Sequence, residues 1–340
     1  MDKLKIDNRI YLANEYITES SSINADCVLL DIDGVLVDVR KSYNIAIKKT
    51  VDFILEHITG NSKLKNIVTD EIILQFRKTG GFNNDVDTCY AIVLAVTASP
   101  KNNINYIRKF LLKLAKNLDD SGIASIEEKI LSSSASPSSF NIYNIKEFLI
   151  YPAPVGKSFL ATVFDETLYG PELFKKKHYI CPKYYFGKPL IDNDKLIVTR
   201  ETICALSKEF DGNISLISGR SKLAAEYSLK PIFNNFNQNA CVFLEDETRE
   251  HAKPKPYSIM KSMKTMDART AIYAGDSIED LIMSRKAQQE TGNTVSFFGV
   301  YGCSTRPEEI IKQFRKKGAD AIIQNINQLP NTLNKVLEQK

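Results

Sequence analysis

Short, unbroken apolar runs, each closed by a polar residue and followed by a stretch of helical periodicity, constrain this chain more than any other feature. Cys27-Val28-Leu29-Leu30 is the first run. After about residue 190 they recur as Ile214-Ser215-Leu216-Ile217, Cys241-Val242-Phe243-Leu244, Ala271-Ile272-Tyr273-Ala274, residues 295–300 and Ala321-Ile322-Ile323. Such a run has little polar face to give to water, so it reads as a strand buried on both sides, as in parallel sheets. Helices are expected between the runs, over 42–57, 200–210, 222–229, 257–263, 280–289 and 307–317, the last with Pro307 in its first turn. This alternation predicts an α/β fold: a doubly wound, Rossmann-like parallel sheet with helices on both faces.

The block between the first strand and the rest follows a different pattern. Helices are expected over 71–78, stopped by Gly80-Gly81, and over 87–96 and 104–118. Residues 132–139 are serine-rich and read as a loop. Residues 144–149, and the stretch rich in tyrosine and proline that runs to 189, carry no clear period. The expected organisation is an N-terminal extension over 1–23, a core over 24–58 and 190–340, and a mostly helical insertion over 59–189.

Composition narrows the function classes. The 340 residues carry 45 basic and 41 acidic side chains, and the densest basic run, Lys175-Lys176-Lys177-His178, is short. A nucleic-acid partner is not expected, because such binders gather their basic residues on one face. No apolar stretch approaches the roughly 20 residues of a membrane span, and residues 1–22 lack the apolar core of a signal peptide. Neither a membrane nor a secretory route is expected, and the plain reading is a cytoplasmic protein, monomeric or homodimeric. The six cysteines form no Cys-x-x-Cys pair and there are only three histidines, so a zinc site is not expected.

In a doubly wound sheet, ligands bind beyond the carboxyl ends of the strands. Asp31 and Asp33 follow the first run. Ser218-Gly219-Arg220 follows the second, Lys253-Pro254-Lys255-Pro256 comes after the third, and Gly275-Asp276-Ser277-Ile278-Glu279-Asp280 follows the fourth. Converging carboxylates raise one another's pKa unless a cation separates them. Mg²⁺ suits one or two carboxylates together with phosphate oxygens. A carboxylate in that setting is a competent nucleophile toward phosphorus, and a serine with a lysine suits a transferring phosphoryl group.

These four motifs, in this order, resemble those of the haloacid dehalogenase superfamily of phosphohydrolases. The resemblance covers about residues 24–58 and 190–325. It implies Asp31 as nucleophile and metal ligand, and Asp33 as general acid/base whose backbone carbonyl also meets the metal. It further implies Ser218, Gly219 and Lys253 as phosphate binders, and Asp276 with Asp280 as acidic partners of Mg²⁺. A carboxylate at Asp33 favours phosphoryl transfer over dehalogenation, because it can protonate a leaving alkoxide and then activate water. The insertion resembles the family's helical cap, and a small phosphorylated metabolite is the expected substrate. A sugar-phosphate mutase on the same core, or a binding module without turnover, stays open at this point.

Three further residues are candidates for substrate contact. Arg220 follows the serine closely, while Asn83 and Asn84 lie in Gly80-Gly81-Phe82-Asn83-Asn84-Asp85, a specificity loop or simply a helix-terminating turn. Gly156-Lys157-Ser158 ends like a phosphate-binding loop, but position 151 is Tyr151 where that motif needs glycine.

Overall fold

The computed structural model describes residues 10–12, 25–60, 64–82, 84–132 and 141–337. The chain divides into two compact units, Met1–Val39 with Asp194–Lys340, and Arg40–Asn193.

Among the described residues the first unit has nine strands: β1 (Ile10–Leu12), β2 (Cys27–Leu30), β3 (Val37–Asp38), β4 (Lys195–Leu196), β5 (Ile214–Ser218), β6 (Val242–Phe243), β7 (Thr270–Gly275), β8 (Thr294–Val300) and β9 (Ala321–Ile323). Seven form one sheet in the order β1-β9-β8-β7-β2-β5-β6. Six of these run parallel and β1 pairs antiparallel with β9. The alternation of side chains along each strand explains the continuous apolar runs. Val28, Leu30, Ile214, Leu216, Ile272 and Ala274 feed one core, under the helices at 200–209, 222–228 and 329–337. Cys27, Leu29, Ile217, Ala271 and Tyr273 feed another, under the helices at 257–265, 278–291 and 307–316. Both faces are therefore dry, as the sequence pattern requires.

β2 lies at the centre of the sheet, between β5 and β7, with Leu30 level with Leu216 and Ala274. The strand order reverses there, and the crevice at such a switch point is where α/β sheets hold ligands. After β2 the chain turns tightly: Gly34 N–H donates to the Val37 carbonyl at 2.8 Å, and Val37 N–H to Ile32 at 2.9 Å. The chain leaves for the second unit along β3 and returns along β4, and these two strands pair antiparallel.

The second unit contains α1 (Tyr43–Thr59), α2 (Asp70–Arg77), α3 (Asp85–Thr97), α4 (Ile104–Ala115), α5 (Ile123–Leu131), α6 (Ile142–Leu149) and α7 (Phe159–His178). Its centre is α3, where Thr88 to Val96 are all buried. The helix α1, expected in the core, belongs to this unit instead, because its apolar face packs on α3 and α7. The long α7 is two helices abutting: Gly170 has φ 64° and ψ 175°, and Pro171 restarts the helix. That Gly-Pro pair reads as a breaker in sequence, which hides a 20-residue element.

Two buried carboxylates of α7 organise the tyrosine-rich segment that follows it. Glu166 accepts the backbone N–H groups of Lys183, Tyr184 and Tyr185 at 2.8, 2.6 and 2.9 Å. Asp165 meets Lys177 Nζ at 3.2 Å and His178 Nε2 at 2.7 Å. Burial alone would raise the Asp165 carboxyl, but the Lys177 charge and the His178 hydrogen bond hold it below the ordinary range. A depressed carboxylate contributes stability above its unfolded pKa, and that contribution disappears as pH falls through the folded value. Asp165→Asn is therefore expected to cost about 3 kcal/mol at pH 7, the scale for breaking a buried pair. Thermal melts should show the difference between variant and parent narrowing below about pH 4, the ordinary range for aspartate.

Among the described residues no helix is long and apolar enough to cross a membrane.

Candidate active site

Asp31 stands one residue beyond β2, and its side chain is 7% exposed. Its backbone N–H still joins the sheet, donating to Ala274 at 3.0 Å, so the carboxylate leaves the strand from a fixed point. Oδ1 accepts the Ile32 N–H at 2.8 Å, and Oδ2 meets Lys253 Nζ at 3.0 Å. The same ammonium lies 2.7 Å from Asp280 Oδ1. Lys253 thus bridges the first and last motifs, whose Asp31 and Asp280 are 249 positions apart in the chain.

Asp280 is held on every side. Tyr273 Oη donates to Oδ1 at 2.6 Å, while Ser277 N–H and Oγ donate to Oδ2 at 3.1 and 2.6 Å. Ser277 and Asp280 form a capping box at the start of the helix Ile278–Thr291, which explains why Gly-Asp-x-x-x-Asp is a helix entrance as well as a site. Gly275 is required there, since a Cβ at that position would lie 2.5 Å from Asp280 Cβ.

Asp31, Asp276 and Asp280 each offer a carboxylate oxygen within 4.8 Å of the others. Burial first, and then the neighbouring charges of Asp31 and Asp280, push the Asp276 carboxyl well above its ordinary range. Asp31 is pushed up to about 7 by burial, against the opposing charge of Lys253. Asp280 goes the other way: Lys253, Ser277 and Tyr273 together outweigh its burial and hold it low. One ammonium therefore serves three clustered carboxylates. A divalent cation fits this donor set, because it removes the repulsion that lifts Asp31 and Asp276. The loop also leaves space for Asp276: Gly34 has φ +75°, and a Cβ there would fall 1.9 Å from Asp276 Oδ2. With both its oxygens already accepting hydrogen bonds, Asp280 is placed to orient Lys253 more than to ligate.

Ser218 closes β5 and is fully buried, and its Oγ accepts the Arg220 N–H at 3.2 Å. Gly219, between them, is exposed and has open space beside its Cα. Arg220 differs from its sequence expectation. Its guanidinium turns inward, with Nε 2.5 Å from Asp33 Oδ1 and Nη1 2.8 Å from Asp194 Oδ2. That inward, 1%-exposed position gives it an internal partner in place of the substrate contact expected. Asp33 sits at the site with its side chain 36% exposed.

The inserted unit's candidates have other local roles. Asn84 caps α3, its side chain accepting the N–H groups of Val86 and Asp87 at 2.9 and 3.4 Å. The helix-turn reading of that segment is the one this geometry carries. Asn83 lies outside the described residues. Beside them Arg77, the last residue of α2, pairs with Asp85 at 2.8 Å and donates to Asn44 at 3.0 Å.

Three residues escaped the sequence reading. Tyr273 looks like core because it lies in an apolar strand. Asp194 sits in a polar run, Asp192-Asn193-Asp194, where nothing marks it. Ser228 is one small polar residue on a helix. Only the in-register position of Tyr273, three residues before Asp276, offered a signal.

No protein-family model matches the chain, and no curated protein matches it in sequence. Solved structures do match. Phosphatase Tt82 from Thermococcus thioreducens aligns at 20% identity over 90% of this chain and 98% of its own, with a TM-score of 0.58. A structural-genomics target, ZR25, aligns at 15% identity over 92% of this chain and 100% of its own, with a TM-score of 0.59. A haloacid dehalogenase hydrolase of family IA from Entamoeba histolytica aligns at 11% identity over 92% of this chain and 98% of its own, with a TM-score of 0.49. The fold shared with the first two of these structures is an α/β Rossmann-like core, here with a long insertion between β3 and β4.

Proposed function

We propose that this chain is a Mg²⁺-dependent phosphatase that hydrolyses a small-molecule phosphate monoester through an aspartyl-phosphate on Asp31. The observation that carries the proposal is the meeting of Asp31, Lys253, Asp276 and Asp280 at the central strand ends, with Ser218 closing the adjacent β5.

Asp31 supplies the attacking oxygen. Its fixed backbone and the Lys253 ammonium orient the carboxylate, and that pre-organisation lowers the barrier without further rearrangement. Lys253 then has a second task, because its charge also favours the anionic oxygens of the transferring group. Ser218 Oγ accepts one backbone N–H, which orients the hydroxyl's own proton for donation to phosphate. Asp33 gives a proton to the leaving oxygen and later takes one from water. Asp31 and Asp276, with the Asp33 backbone carbonyl and Asp280 in support, would hold Mg²⁺. When bound, the cation neutralises charge on the phosphoryl oxygens and the carboxylate cluster. The inserted unit is the part of the chain we assign to reading the leaving group, and the protein acts in the cytoplasm as a monomer or homodimer.

The test is phosphate release from a panel of phosphate monoesters. The expected result is release that requires Mg²⁺ and stops on chelation, returning when the metal is restored. Release that is indifferent to chelator overturns the metal assignment. An isomerised ester with no free phosphate moves the acceptor from water to a sugar hydroxyl.

A further inference from the structure

Arg220 is bound in a way that neither substrate contact nor surface charge explains. Its Nε donates to Asp33 Oδ1 at 2.5 Å, and its Nη1 donates to Asp194 Oδ2 at 2.8 Å and Ser228 Oγ at 2.7 Å. Ser228 Oγ closes the arrangement by donating to Asp194 Oδ2 at 2.7 Å. Exposure falls steeply along this chain of contacts. The Asp33 side chain is 36% exposed, whereas those of Arg220 and Asp194 are 1% and 4%. One end is locked in the protein and the other is the carboxylate at the site.

A guanidinium is planar, so fixing the direction of Nη1 also fixes the direction of the Nε–H bond. The anchor is itself immobilised. Asp194 directly precedes β4, and β4 pairs with β3, at the end of the loop that carries Asp33. Asp33 forms a bridge with Val37, and Val37 is level with Leu196. The Asp33 loop and its anchor therefore share one short ribbon.

We propose that Asp194, Ser228 and Arg220 form a positioning relay that sets the orientation of the Asp33 carboxyl for proton transfer to the leaving oxygen. The proposal rests on the phosphatase reading above and deepens it. Arg220 acts through Asp33, so it is a positioning residue. It occupies Oδ1, which leaves Oδ2 as the oxygen that carries the proton. As an Asp31 oxygen bonds to phosphorus, the bond from phosphorus to the leaving oxygen breaks and its electron pair stays on that oxygen. The proton on Asp33 Oδ2 transfers there, and Asp33 is left as a carboxylate facing Arg220. A general acid must reach within hydrogen-bond distance of its target, so a carboxyl free to rotate loses much of its effect.

The relay makes a prediction that a merely structural role does not. Phenyl phosphate needs its leaving oxygen protonated, whereas 4-nitrophenyl phosphate releases a stable anion and does not. Ratios of kcat/KM for these two esters, with Mg²⁺ present, are to be measured for the parent, Asp33→Asn, Asp194→Asn, Arg220→Lys and Ser228→Ala. Asp33→Asn sets the full preference for the activated ester. Asp194→Asn and Arg220→Lys are expected to show about a tenfold shift in the same direction, a fraction of the 10²–10⁴ that general acid catalysis provides. Ser228→Ala removes a single hydroxyl and should give a smaller shift in a protein whose thermal melt stays cooperative, which keeps the test alive if a charge variant fails to fold. Equal losses on both esters, or no loss, in folded relay variants overturn the relay. An Asp33→Asn variant with no shift also overturns it, while Asp31-dependent release leaves the phosphatase reading standing. Absence of Asp31-dependent release from every ester overturns that reading itself.

Discussion

Asp31→Asn is expected to lower kcat for phosphate release by about 10⁴ or more, the scale seen when a covalent nucleophile is removed. At 1.36 kcal/mol for each tenfold change, this is roughly 5 kcal/mol of lost transition-state stabilisation. The fold should survive. The amide has the shape of the carboxyl, and its oxygen can still accept the Ile32 N–H that Oδ1 accepts at 2.8 Å. The variant also removes one of three clustered like charges while Lys253 keeps Asp280 at 2.7 Å. Loss of activity therefore separates from loss of structure. Phosphate release at saturating Mg²⁺, set beside a thermal melt, checks both halves. A folded Asp31→Asn that turns over at the parent rate rules out the aspartyl-phosphate route.

The parts of this site that were legible in the sequence are those fixed by the backbone. Asp31, Ser218 and Asp276 each lie at or just past the end of an apolar run, and the ends of parallel strands gather at one edge. Lys253 was legible by motif order alone, because a loop and not a strand end carries it. What stayed hidden depends on where side chains turn. Arg220 follows Ser218 in sequence and looks outward-facing, yet its guanidinium folds back to Asp33 and Asp194. Asp194 is 161 positions from Asp33, and no local pattern links the two. Strand β6 shows the same limit at the level of elements. Four apolar residues predict a longer strand, but only Val242 and Phe243 pair. The chain turns at Leu244–Asp246, and Glu245 and Asp246 accept the N–H groups of Ser221 and Lys222. Strands β3 and β4, of two residues each, are too short for any periodicity to reveal, although they frame the whole insertion.

Lys253→Met is expected to have the largest effect on stability. The Lys253 side chain is 14% exposed and is the ammonium shared by Asp31 and Asp280, which are themselves 7% and 0% exposed. Methionine keeps the unbranched apolar stem as far as the Cε position and removes the ammonium, so the change acts chiefly on the charge. Removing one partner of a buried pair strands the other, and the usual cost is about 3–5 kcal/mol. Here two partners are stranded beside Asp276, so the upper part of that range is expected in metal-free buffer at pH 7. The pH dependence follows from the direction of each shift. Burial alone would raise Asp280, and the charge of Lys253 leads the interactions that hold it low. A depressed carboxylate contributes its stability above the unfolded pKa and loses it as pH falls through the folded value. The parent thus loses the benefit of Lys253 in acid, while the variant never had it. The gap between their denaturation midpoints should be full at pH 7 and shrink below about pH 4, the ordinary range for aspartate. Mg²⁺ should also narrow the gap at pH 7, because a cation bound by Asp31 and Asp276 restores positive charge beside the stranded carboxylates and stabilises the folded state in proportion to its occupancy. A gap that is the same at pH 7 and well below pH 4, with and without Mg²⁺, would mean that Lys253 acts by packing and that its ammonium is not what holds these carboxylates together.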